Sequence, residues 1–190
     1  MARKLFATGV LMAIIALSVA SFFAADNAEA FDKLPEIANI KIHSQWLASS
    51  GQPGKRQFDE IAESGVQVVI NLAPKNSPDS IANEGDLVRK NGMQYHFIPV
   101  KWNKPTHDDF ALFMAAMDDA KGKVVLAHCY VNSRASAFVY LYNVLRGNVD
   151  AGAEYTVLEE IWDHNEGYEL RNVPHWRKFL EDTLARRRSQ

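Results

Sequence analysis

The chain has one cysteine in 190 residues. A single thiol excludes an internal disulfide framework and any zinc site built from several cysteines. Charge of one sign is also scarce: 21 Lys and Arg stand against 23 Asp and Glu, for a formal net charge of −2. Such a chain has no strong field with which to hold a polyanion, so nucleic acid is not expected as a partner. None of the six histidines has the spacing of a metal-binding pair such as H-E-x-x-H, so no metal is expected. The sequence contains no internal repeat and no low-complexity stretch. What is present is ordinary for a globular protein, 47% hydrophobic and 23% charged, which excludes disorder and a polytopic membrane protein.

The one long hydrophobic run extends from Leu5 to Ala25, with Arg3 and Lys4 before it and Ala28-Glu29-Ala30 after it. A basic start, an apolar run and a small-x-small site form the order of a secretory signal peptide. The expectation is a signal peptide over residues 1–30 and a single domain over 31–190, in the periplasm or secreted. The competing reading is an uncleaved anchor, because a run of about 20 apolar residues spans a bilayer. The membrane is a partner only in that case. Roughly 160 remaining residues suit one domain with one core.

In that domain, strand and helix signals alternate. Residues 31–43 form a lead-in with one short apolar alternation, Ile40 and Ile42. Residues 46–53 suggest a short strand running into a turn, broken by Gly51, Pro53 and Gly54. Val66 to Leu72 is a β-branched run suited to a strand buried on both faces. Residues 94–100 and 123–127 suggest two more strands. Helices are predicted around Phe58 to Ala62, Ile81 to Asn91, Pro105 to Asp118, Ser136 to Leu145, 151–162 and 174–187. Alternation of this kind predicts an α/β fold in three layers: a mostly parallel central sheet of four to five strands flanked by helices.

The chemically informative segment is Val124-Val125-Leu126-Ala127-His128-Cys129-Tyr130-Val131-Asn132-Ser133-Arg134-Ala135-Ser136. A buried strand ends there, a short loop follows, and an apolar helix begins. Loops at the carboxyl ends of parallel strands are where α/β proteins place ligands. Successive backbone amides, together with a helix N-terminus, cradle an anion. A thiol at the first position of such a loop is activated as a thiolate nucleophile. Arg134 offers a planar fork matched to phosphate oxygens. The competing reading is an inert buried cysteine.

This loop resembles that of the cysteine-dependent protein phosphatases, whose signature is His-Cys, five residues, Arg, then Ser or Thr. Ser50-Gly51-Gln52-Pro53, the helix after it, Val68-Val69-Ile70-Asn71-Leu72 and residues 95–109 extend the likeness to bacterial dual-specificity-phosphatase-like domains, over roughly residues 44–147. The resemblance implies a phosphatase fold and a phosphate monoesterase that needs no cofactor. Cys129 would be the nucleophile and Arg134 the anion clamp. His128, Tyr130, Val131, Asn132, Ser133 and Ser136 would form the binding loop, with His128 orienting it and favouring the thiolate. The partner implied is a phosphorylated small molecule or a phosphoprotein.

The chain departs from that signature. Only four residues separate Cys129 from Arg134. In an ungapped alignment Asn132 replaces the usual Gly, Ala135 takes the Arg position and Ser136 matches the Ser or Thr. The spacing also resembles the shorter active-site loop of rhodanese-type sulfurtransferases, which handle persulfide. A third reading is an anion-binding module without turnover.

Phosphate ester cleavage needs an acid for the leaving oxygen. In the resembled family this is an Asp on the loop after the preceding strand, which makes Asp108 and Asp109 the candidates. Thr106 and Asp109 also have the spacing of a capping box. Asp163 and His164, near another helix end, are further candidates. Trp102 and Tyr130 are placed to wall a pocket.

Overall fold

Val68–Asn71 is the β-branched run anticipated as a doubly buried strand, and all four of its residues are buried. The computed structural model describes residues 31–188 apart from 32 and 148, so the expected signal peptide lies outside the described residues. In chain order the elements are β1 (Lys41–Ser44), β2 (Leu47–Ser50), α1 (Gln57–Glu63), β3 (Val68–Asn71), α2 (Glu84–Lys90), β4 (Gln94–Phe97), α3 (His107–Asp119), β5 (Val125–His128), α4 (Ser133–Arg146), α5 (Ala151–Asp163), a single turn of tight helix (Leu170–Asn172) and α6 (Pro174–Arg188).

The five strands run in the order β1-β2-β5-β3-β4. Every pair is parallel except the β1–β2 edge hairpin. The last strand, β5, therefore lies in the middle, and its carboxyl end opens between β2 and β3. The period-2 alternation of strand side chains sorts the core into two clusters. Leu47, Val68, Ile70, Val125 and Ala127 face α3, α4, α5 and α6, where Phe113, Phe138, Trp162 and Trp176 are packed. Ala48, Val69 and Leu126 face α1, α2 and the lead-in, against Phe58, Ile61, Val88, Phe31 and Ile37. Burying one such large side chain contributes about 1.5–3 kcal/mol. The architecture is the three-layer α/β fold the sequence predicts.

Two details differ from expectation. The lead-in supplies a real strand, β1, whose half-exposed pattern gives little hydrophobic signal. α4 begins at Ser133 rather than Ser136, so Ser133 and Arg134 lie in its first turn.

Candidate active site

The loop from Cys129 to Asn132 leaves the central strand between two neighbours that pin its start. The Cys129 amide donates to the Ser50 carbonyl at 3.2 Å, and the Leu72 amide donates to the His128 carbonyl at 2.8 Å. Cys129 is a free, fully buried cysteine. The Gln52 amide donates to the Tyr130 carbonyl at 2.9 Å. Gly51 makes this approach possible, since a Cβ there would sit 2.9 Å from both the Ala38 and the Tyr130 carbonyl oxygens.

Asn132 occupies a left-handed conformation, φ 71. That conformation costs most L residues roughly 1–2 kcal/mol, and Asn tolerates it better than others. Asn132 thus does the backbone work of the glycine it replaces. Its Nδ2 donates to the Asn39 carbonyl at 2.7 Å. Asn39 reciprocates: its Nδ2 donates to the Val131 carbonyl at 3.1 Å and to the Ile161 carbonyl at 2.9 Å. Asn165 adds a second donor to the Val131 carbonyl, also at 3.1 Å. The Ser136 hydroxyl donates to the Asn132 carbonyl at 2.8 Å and accepts from Trp162 Nε1 at 3.2 Å. Every carbonyl from Tyr130 to Asn132 is therefore occupied. The amides of Tyr130, Val131, Ser133 and Arg134 donate to no acceptor among the described residues. Unpaired amides at a helix N-terminus favour an anion.

Arg134 is only 9% exposed, yet it has no ion pair or hydrogen bond among the described residues, and its Nε is buried without a partner. Its guanidinium lies over the Trp102 ring, 5.3 Å from the centroid. Trp102 is itself fixed. Its ring packs at 5.6 Å from Trp162, 5.6 Å from Trp176 and 5.2 Å from Tyr168. Its carbonyl accepts from Trp176 Nε1 at 2.9 Å, and its contact with His175 Nε2 is 3.0 Å. The loop after β4 is thus anchored to α6. Further buried polar atoms without partners are His128 Nδ1, Asn132 Oδ1 and Ser133 Oγ.

Beneath the loop is a group the sequence analysis did not single out. Glu84, on α2, is 3% exposed. Its carboxylate contacts His128 Nε2 at 3.1 Å and accepts from Asn71 Nδ2 at 2.6 Å, Tyr95 Oη at 2.9 Å and Gln52 Nε2 at 2.5 Å. Burial alone would raise its pKa, but the bond and charge of His128, with the Gln52 and Tyr95 bonds, hold it below the ordinary carboxylate range. Burial, together with the charge of the same carboxylate, pushes the Tyr95 hydroxyl well above its usual value. A signal existed: Glu84 stands four residues before buried Val88, on one helix face.

The candidate acids have neighbours of their own. The Asp109 carboxylate accepts from the Thr106 amide at 3.0 Å and the Thr106 hydroxyl at 2.7 Å, completing the capping box of α3. Asp108 is exposed and lines a groove with His107, Met114, Thr183 and Arg186, between α3 and α6. Asp163 pairs with Arg171 at 2.8 Å, and His164 Nδ1 contacts the Glu160 carbonyl at 2.6 Å. Tyr130 is half-buried.

A mostly parallel sheet whose middle strand ends in a thiol at an amide-lined loop, followed in the next helix by an arginine with no hydrogen bond or ion pair among the described residues, defines a phosphatase-like α/β protein. The chain belongs to the family described as "Beta-lactamase hydrolase-like protein, phosphatase-like domain", which it matches over residues 39–145. It is 30% identical over 138 residues to a beta-lactamase hydrolase-like protein of Xylella fastidiosa, covering 71% of this chain and 31% of that protein. The chain thus spans about a third of the length of that curated relative. Among solved structures it is similar to a proposed phosphatase of Shewanella putrefaciens, with 40% identity and a TM-score of 0.71 over 82% of this chain and 94% of that one. The core catalytic domain of a PP-IP phosphatase from Saccharomyces cerevisiae shares the fold at 11% identity and a TM-score of 0.61, over 78% of this chain and 86% of that one.

Proposed function

We propose that this chain is an exported, cysteine-dependent phosphatase acting on phosphate monoesters of a small molecule or a protein. The observation that carries the reading is Arg134, a nearly buried cation with no hydrogen bond or ion pair among the described residues, at the first turn of the helix that follows Cys129. A guanidinium fork and loop amides hold three phosphoryl oxygens and stabilise the charge that develops on them. The Cys129 sulfur attacks phosphorus, the bond to the ester oxygen breaks, and a phosphocysteine forms. Water then attacks phosphorus, the S–P bond breaks, and inorganic phosphate leaves with the thiolate restored.

The proton for the ester oxygen is assigned to Asp108 in preference to Asp109. The Asp108 carboxylate accepts no hydrogen bond among the described residues, whereas that of Asp109 is held by Thr106. Export rests on the order of the basic, apolar and small residues before Phe31.

The purified full chain should hydrolyse an aryl phosphate under reducing conditions. Cys129→Ser should abolish turnover while orthovanadate or phosphate still binds. Equal activity in that variant removes the mechanism. The short Cys129–Arg134 spacing favours a second reading, a persulfide carrier. A gain of one sulfur on Cys129 after exposure to a sulfane-sulfur donor, without aryl phosphatase activity, would select it.

A further inference from the structure

We propose that Glu84 is a positioning residue of the Cys129 loop: a buried carboxylate that fixes the ring of His128 and supplies the negative partner for positive charge beside the thiol. The inference rests on the proposed role of Cys129 as nucleophile. Its test reads the thiol directly, so it stands apart from any failure to find the right phosphoester.

Four elements converge on this one carboxylate. His128 ends β5, Asn71 ends β3, Tyr95 lies on β4 and Gln52 follows β2. Glu84 therefore gathers the sheet at its carboxyl edge, directly under the loop. An ionised carboxylate is acceptor-only. The 3.1 Å contact therefore assigns the Nε2 proton to His128 and fixes which face of the ring is spoken for. His128 Nδ1 is buried and unpaired, and His128 is the sequence neighbour of the nucleophile. A purely structural carboxylate would tie strand ends together without needing a titratable ring between itself and the thiol.

The charged and titratable groups around the pair are few. Tyr95 and Asn71 face Glu84 from the sheet, with Arg89 near Tyr95. α1 offers His128 only the edge of Phe58. α4 contributes Arg134 on the loop side. Removing the negative charge of Glu84 leaves no other carboxylate in contact with His128 among the described residues.

Because Cys129 is the only cysteine, thiolate absorbance near 240 nm reports one group, with Cys129→Ser as the blank. In the full chain, Glu84→Gln should move the midpoint of that absorbance upward by about one pH unit. An unchanged or lower midpoint in the folded variant overturns the proposal. Tyr95→Phe removes a hydrogen bond from the same carboxylate without removing charge, so it should lower stability and leave the midpoint in place. A shift equal to that of Glu84→Gln would mean that a merely structural disturbance suffices, and the proposal would fail. If Glu84→Gln does not fold, 15N-histidine spectra of the unmodified protein decide: the proposal requires a protonated Nε2 on His128. A bare Nε2 with a protonated Nδ1 overturns it.

Discussion

The Arg134 guanidinium lies 5.3 Å over the ring of Trp102, so this cation is held by a residue of the loop between β4 and α3. This contact shows where the side chain goes despite the short Cys129–Arg134 spacing. One position on a helix is a rotation of about 100 degrees, and the displaced side chain is caught by an aromatic surface held by Trp162, Tyr168 and Trp176.

Trp102→Leu should loosen that hold. A partly desolvated cation–π contact is worth about 1 kcal/mol, so orthovanadate should bind about fivefold more weakly. Thermal stability should also fall, because the ring joins an aromatic cluster. Titration calorimetry and a melting curve separate the two effects. Undiminished vanadate affinity would show that Arg134 needs no such support.

Asp109 and Asp108 should behave differently. Asp109→Ala removes half of a capping box and should cost about 1 kcal/mol of stability with kcat little changed. Asp108→Asn should leave stability alone and slow alkyl phosphates, with their poor leaving groups, by about a hundredfold. Aryl phosphates should be affected less. A collapse of kcat in Asp109→Ala on both substrates would reverse the assignment.

Asn132 should tolerate glycine better than alanine. Alanine loses the bond to Asn39 and must adopt φ 71, for a combined loss of about 2 kcal/mol. Glycine loses the bond but not the conformation. Urea midpoints should therefore rank Asn above Gly and Gly above Ala.

Stability should fall in two acid steps. Burial, with the Lys41 charge, lowers the His43 pKa from 6.5 to about 4. The unfolded chain thus takes up that proton at higher pH than the folded one. Stability is lost as pH falls from 6.5 to about 4 and levels off below. The ring is half-buried, so about 2 kcal/mol is the expected size. Glu84 has the opposite chemistry but the same sign: its depressed pKa adds stability that is present above 4.5 and lost as pH falls below it. His43→Gln should remove the first step only, as read from urea denaturation between pH 7 and 3.

The sheet and its chemistry were legible in different degrees. VQVVINL and KVVLA are largely apolar and rich in β-branched residues because parallel strands are covered on both faces, so β3 and β5 stand out of the sequence. β1 does not, since an edge strand carries no such run. The His-Cys loop was legible because a thiol at a strand-to-helix junction has few bland explanations. Glu84 and Asn39 were not. Their importance lies in contacts across 44 and 122 positions of chain; the spacing of Glu84 and Val88 gives the helix face of Glu84 but not its partners. Trp102 was visible as an aromatic near the site, but its grip on Arg134 depends on α6 arriving beside it.

Asn39 also has a consequence for timing. It ties the Val131 carbonyl to Ile161 near the end of α5, so the brace joins the earliest described part of the domain to one of the last. In any chain delivered N-terminus first, from a ribosome or through a membrane, the thiol emerges before its brace can close. A nascent domain that stops short of α5 holds the Cys129 loop without the Ile161 end of this brace. The brace is completed as a late event, after nearly the whole polypeptide is free to fold.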